Sequence, residues 1–195
     1  MDLWVFDNDN TLYGDAEVGH TFFRHLAQYV SELLNIQIDD VSAEILRLKQ
    51  KWDVKFSVIA LIKEYDLDFD EVVQQSYMKV DLKQCGIKGG DQIRWQALNS
   101  IIAKKIVFTN NASSFAQYVL SYVGLDGFFS DIIGMKEMNF LPKPHIYGYK
   151  LIEKKYSKFD RIIFCDDRVE NLAIAKLSHY NLVMINKLRA LSQQL

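Results

Sequence analysis

Three short apolar runs in this 195-residue chain stop at side chains that an apolar interior rejects. Leu3-Trp4-Val5-Phe6 runs into Asp7-Asn8-Asp9. Ile106-Val107-Phe108 runs into Thr109-Asn110-Asn111. Arg161-Ile162-Ile163-Phe164-Cys165 runs into Asp166-Asp167. Runs this short, bounded by turn residues, read as buried strands. From Asp91 onward they alternate with helical periodicities, and such alternation implies a parallel sheet with helices on both faces. In open parallel sheets, ligands bind outside the carboxyl ends of the strands. The pattern therefore brings four carboxylates, a hydroxyl and amides to one edge.

Between the first strand and the alternating region the character differs. After Gly14, Asp15 is placed to cap a helix carrying Val18, Phe22, Phe23, Leu26, Tyr29, Val30, Leu33 and Leu34 on one face. A second helix is expected from near Asp40 with Val41, Ile45, Leu46 and Leu48, and a third over about Phe56 to Tyr65. Asp68-Phe69-Asp70-Glu71 resembles a capping box, followed by Phe69, Val72, Val73, Ser76, Tyr77 and Val80 at helical spacing. No strand is expected from Asp15 to Leu82. Beyond it, helices are expected over Asp91 to Ala103, Ser113 to Val123 with Gly124 as C-cap, His145 to Tyr156 and Val169 to Ser178. Short strands are expected at Asp131 to Gly134 and Leu182 to Ile185. The fold class is α/β: a Rossmann-like, doubly wound parallel sheet (residues 1–13 and 86–195) with an inserted helical domain (14–85).

Charge and composition exclude several classes. The formal net charge of −2 argues against a dedicated binder of nucleic acid polymers, whose surfaces carry a basic excess. Two cysteines far apart, Cys85 and Cys165, form no disulfide framework and fit a reducing compartment. The first apolar run is too short for a signal peptide, and no run approaches membrane-spanning length. The expectation is a cytoplasmic monomer or homodimer with no membrane partner.

The edge chemistry is more specific. Asp7 and Asp9 repel each other unless a cation or a proton intervenes. Their natural uses are metal binding and a split into nucleophile and general acid/base. Lys143 lies in the loop Leu141-Pro142-Lys143-Pro144, the only prolines in the chain, and can reach the same edge. Several acids, one cation and one hydroxyl suit a hard divalent metal such as Mg2+ and a phosphoryl group. Each feature also has a plainer reading. A calcium loop would need glycine where Leu12 stands and glutamate where Val18 stands. Thr109-Asn110 by itself is an ordinary strand-end turn, Lys143 a solvated lysine, and Asp166-Asp167 a helix cap. Cys165, within an apolar strand, reads as packing. His20, His25, His145 and His179 show no ligand pattern.

Taken in order, Asp-x-Asp-x-Thr after a first strand, Thr-Asn, Lys-Pro in a loop and Asp-Asp resemble the four motifs of the haloacid dehalogenase-like (HAD) hydrolase superfamily. The helical insert resembles its cap. Phe6 to Tyr13, Val107 to Asn110, and Phe164 to Asp167 with Asn171 are similar to the pyrimidine 5'-nucleotidase-like branch. Gly14, Asn111 and Phe115 depart from that branch, where proline, alanine and histidine are common. The resemblance implies a Mg2+-dependent phosphatase acting on a small phosphorylated metabolite, by preference a nucleoside 5'-monophosphate. Asp7 would be the nucleophile and Asp9 the acid/base. Asn8, Thr109, Asn110 and Lys143 would bind the phosphate, and Lys143 would also stabilise developing charge. Asp7, Asp166 and the backbone carbonyl of Asp9 would hold the metal, with Asp167 ligating directly or through water. The alternatives are a sugar phosphate or phosphoglycolate phosphatase, a phosphomutase, or, in another class, a phospho-accepting signalling module. In the cap, Tyr13 to His20 and Trp52 to Phe56 are expected to face the pocket.

Overall fold

In the computed structural model, residues 1–14, 17–177 and 181–184 are described. They form a five-stranded, all-parallel sheet in the order β3-β2-β1-β4-β5. The strands are β1 (Asp2–Phe6), β2 (Lys104–Phe108), β3 (Ile132–Ile133), β4 (Arg161–Asp166) and β5 (Asn181–Met184). The winding direction reverses at β1, which lies between β2 and β4. Such a reversal opens a crevice at the carboxyl edge. The α/β, Rossmann-like fold class is the one the alternation implies. The strands follow the expected runs closely, although β5 starts one residue earlier and Ile185 lies outside the described residues.

The chain divides into two compact units, Met1–Asp15 with Ile87–Leu195, and Ala16–Gly86. The second unit holds α1 (Val18–Leu34), α2 (Val41–Lys51), α3 (Ser57–Tyr65) and α4 (Phe69–Gln75). Helix α1 starts from Glu17 without a side-chain cap, and Asp15 lies outside the described residues. In α2 the buried positions are Val41, Ile45 and Leu48. Leu46 is exposed, because one residue past Ile45 turns it about 100° away from that face. Helix α4 begins as expected, with the Asp68 carboxylate accepting from Glu71 N. It does not run to Val80. The Ser76 hydroxyl donates to the Val72 carbonyl, the backbone leaves helical geometry at Ser76, and a 3-10 turn follows over Tyr77–Lys79.

The first unit carries α5 (Gln92–Ser100), α6 (Ser113–Val123), α7 (Ile146–Lys155) and α8 (Val169–Leu177). Helix α5 is capped by Asp91 and stops at Ser100, three residues short of the expected end. The buried Lys105 ammonium takes the Ile101 and Ala103 carbonyls at 2.6 and 3.3 Å, so those groups are satisfied without another helical turn. Helix α6 ends at Gly124 in the left-handed conformation, as the C-cap reading requires.

On one face of the sheet, Leu3, Val5, Ile106, Phe108, Ile133 and Phe164 pack against Tyr149 and Ile152 of α7 and Leu172 and Ala175 of α8. Phe108 and Phe164 meet Tyr149 edge-on, and the Tyr149 hydroxyl donates to the Asn171 carbonyl. Helix α7 approaches β2 so closely that a Cβ on Gly148 would lie 2.6 Å from the Phe108 ring. Glycine is therefore required by space, although it is a poor helix former. Gly148→Ala is expected to lower stability by about 1–3 kcal/mol despite the gain in helix propensity. Urea denaturation of the two proteins checks this, and a more stable variant would refute the close approach.

Candidate active site

The strand register sets the site. Val5 pairs with Phe164 and with Ile106, and Phe6 with Cys165 and Val107. One step further, the Asp7 N–H donates to the Cys165 carbonyl at 2.8 Å. Asp7 therefore leaves the sheet between the ends of β2 and β4, next to Asp166. On the far side of β2, Thr109 N donates to the Ile133 carbonyl at 2.9 Å and prolongs that ladder past the strand end.

Lys143 joins the two aspartates. Its ammonium lies 2.6 Å from Asp7 Oδ1, 2.8 Å from Asp166 Oδ2 and 2.8 Å from the Phe108 carbonyl. All three side chains are buried, and the ammonium also sits over the rings of Phe108 and Phe164. The loop is held from its backbone. Lys143 N donates to Asn110 Oδ1 at 2.6 Å, and Asn110 Nδ2 donates back to the Lys143 carbonyl at 3.0 Å. Asp166 is further fixed by Asn171 Nδ2, at 2.9 Å from each oxygen, and by Arg168 N. The plain reading of Asp166 as a cap is thus partly realised, but its other oxygen faces Lys143.

Two buried carboxylates share one ammonium, so the cluster retains an excess negative charge. Asp7, Asp166 and the half-buried Asp167 each offer an oxygen within 4.8 Å of the others. An all-oxygen donor set of this charge fits a hard divalent cation. Burial pushes the Asp7 carboxyl up to about 7; Lys143 opposes this, and the Asp166 and Asp9 charges reinforce it. Lys143 is itself raised, because attraction to Asp7 and Asp166 outweighs its own desolvation. Asp167 is raised by burial and by the Asp166 charge. Burial likewise pushes the Cys165 thiol up, as expected of a packing residue.

Asp9 occupies a separate environment. Its carboxylate accepts from the Thr109 hydroxyl at 3.1 Å, from Asn111 Nδ2 at 2.9 Å to each oxygen, and from the Tyr13 hydroxyl. It lies outside the Asp7-Asp166-Asp167 cluster. Thr11 donates to the other Asp7 oxygen at 3.4 Å, a long bond. Asn8, expected among the phosphate binders, has a fully buried side chain, and neither of its amide atoms has a hydrogen-bond partner. Its part in binding would therefore fall to its backbone.

Lys143, Asp7, Asp166 and Asp167 thus meet in one cluster, with Asp9 and Thr109 beside it and Asn110 behind the lysine loop. Sequence reasoning missed Tyr13 and Asn111 as partners of Asp9, and Thr11 and Asn171 as supports of the aspartates. Signals were present: Tyr13 stands four residues after Asp9, and Asn111 two after Thr109 in the same strand-end turn.

A raised Asp7 has a thermodynamic signature. The folded chain holds its proton up to about pH 7, whereas the unfolded chain releases it near the ordinary value of 3.8. Between these values the folded state binds more protons, so stability falls as pH rises. Without added metal, Asp7→Asn is expected to remove a loss on the order of 4 kcal/mol over that window. Denaturant unfolding of both proteins at several pH values checks this. Parallel profiles would show that Asp7 is ionised throughout.

Known proteins resemble the chain as follows. The family model described as "haloacid dehalogenase-like hydrolase" matches residues 1–179. A HAD phosphatase from Thermococcus onnurineus superposes with a TM-score of 0.64 at 15% identity, covering 100% of this chain and 96% of its own. A 2-haloacid dehalogenase from Pseudomonas syringae pv. Tomato DC3000 gives 0.64 at 16% identity, covering 99% and 97%. The HAD-hydrolase YfnB from Bacillus subtilis, solved with bound magnesium, gives 0.55 at 19% identity, covering 98% and 96%. At these identities the likeness is one of fold. No curated protein matches the sequence. Among the described residues no helix is long and apolar enough to cross a membrane.

Proposed function

The chain belongs to the haloacid dehalogenase-like hydrolases, and from that premise we propose that it is a magnesium-dependent phosphomonoester hydrolase with an aspartyl-phosphate intermediate. The observation that carries this reading is the separation of two carboxylates on one short loop. Asp7 is paired with a buried ammonium, whereas Asp9 is held by neutral donors from Thr109, Asn111 and Tyr13. A nucleophile and a distinct acid two residues away are what an oxygen leaving group requires. A departing halide needs no proton, so Asp9 favours phosphate esters over carbon–halogen bonds.

In this reading an Asp7 oxygen attacks phosphorus as the bond from phosphorus to the ester oxygen breaks. Asp9 gives its proton to that leaving oxygen. Asp9 then takes a proton from water as the water oxygen attacks the aspartyl-phosphate, which frees phosphate and restores Asp7. Lys143 keeps Asp7 oriented and offsets negative charge on the phosphoryl oxygens. Thr109, Asn110 and the backbone at Asn8 complete the phosphate contacts. Magnesium would be held by Asp7, Asp166 and the Asp9 carbonyl, with Asp167 direct or through water, and would supply charge neutralisation at the phosphoryl oxygens.

The substrate class favoured is a nucleoside 5'-monophosphate, on the likeness of Phe6 to Tyr13, Val107 to Asn110 and Phe164 to Asp167 to the pyrimidine 5'-nucleotidase-like branch. The helical unit would supply the leaving-group selectivity as a cap. Phosphate release from nucleotides, sugar phosphates and an aryl phosphate, with and without magnesium, tests the proposal. Turnover is expected to need the metal. Asp7→Asn is expected to lose about 10³-fold or more, and Asp9→Asn about 10²- to 10⁴-fold on alkyl esters. Halide release from a 2-haloacid without phosphatase activity would overturn the reading.

A further inference from the structure

We propose that Asn111 is a positioning residue that fixes the plane of the Asp9 carboxylate toward the leaving group. The inference rests on the reading of Asp9 as proton donor. An aspartate carboxylate rotates through a broad torsional well, so its plane is set by its partners. Asn111 Nδ2 lies 2.9 Å from both Asp9 oxygens, a bifurcated contact that resists this rotation from one side. The Thr109 hydroxyl anchors Oδ2 and the Tyr13 hydroxyl anchors Oδ1.

Asn111 is itself pinned. Its N–H donates to Thr109 Oγ1 at 3.0 Å, which leaves the threonine hydrogen free to point at Asp9. The bonds close a ring: Asn111 N–H to Thr109, Thr109 to Asp9, and the Asn111 side chain to Asp9. On the other side the Asn111 carbonyl accepts from Met135 N at 2.9 Å. Gly134 lies so near that carbonyl that a Cβ there would come within 2.6 Å of its oxygen. The backbone at Asn111 is thereby fixed, and with it the reach of the amide.

A proton donor matters most when the leaving oxygen is basic. Losing its orientation should therefore harm alkyl phosphates, whose alkoxides need the proton, more than p-nitrophenyl phosphate, whose phenolate departs without it. The experiment compares native protein, Asn111→Ala, Asn111→Asp and Asp9→Asn, with magnesium, on p-nitrophenyl phosphate and on an alkyl monophosphate that the native chain turns over. Asn111→Asp keeps the shape but faces Asp9 with a like charge, and turnover of the aryl ester reports on folded protein. Both Asn111 variants are expected to lose about 10- to 100-fold more in kcat/KM, which runs only through formation of the aspartyl-phosphate, on the alkyl ester than on the aryl ester. Asp9→Asn should show the same preference more strongly. Equal losses on the two esters in the Asn111 variants, with the preference intact in Asp9→Asn, would overturn the proposal alone. Absence of the preference in Asp9→Asn would overturn the reading of Asp9, and the proposal with it.

Discussion

One ammonium holds this site together. Lys143 Nζ contacts Asp7, Asp166 and the Phe108 carbonyl, and so ties the ends of β1, β4 and β2 to a loop that precedes α7. Removing charges of this kind from water costs several kcal/mol per ion, and the cost is offset only by close pairing and full hydrogen bonding. The pairing here is incomplete by design of charge: two carboxylates face one cation. Burial, reinforced by that surplus, keeps Asp7 prone to protonation, and the oxygens of Asp7, Asp166 and Asp167 are left suited to a divalent ion.

The sheet makes this concentration of charge tolerable. Parallel strands end in register, so their terminal side chains gather at one edge while the preceding residues are buried. Phe108 and Phe164 illustrate both roles. Their rings pack against Tyr149 in the core and also carry the Lys143 ammonium above them. Gly148 of α7 passes close against the ring of Phe108, the residue whose carbonyl Lys143 uses. Packing of the core and placement of the charge are one constraint seen from its two sides.

Asp9 belongs to a different local network. Its neighbours are hydroxyls and an amide rather than a cation, so the two carboxylates of one loop differ in surroundings. Much of this was visible beforehand, because Asp7, Thr109 and Asp166 mark strand ends and strands announce themselves by short apolar runs. Asn111 and Tyr13 were less visible. A turn asparagine and a buried tyrosine have common structural uses, so standing close to Thr109 or to Asp9 in the chain does not by itself say that either side chain bonds the Asp9 carboxylate. The ends of α4 and α5 escaped for a similar reason. Ser76 bonds back to its own helix, and the Lys105 ammonium satisfies carbonyls from a neighbouring strand.

The sequence by itself determined the alternation of strands and helices, the helical block after β1, and the acids and hydroxyl that close the three buried runs. These follow from periodicity and from the cost of placing charge within an apolar strand. Only the tertiary structure decided which side chains pair: Lys143 with both Asp7 and Asp166, and Asn111 with both oxygens of Asp9. Such pairings depend on strand register and helix approach, which are set by packing over the whole core and leave no mark at the residues themselves.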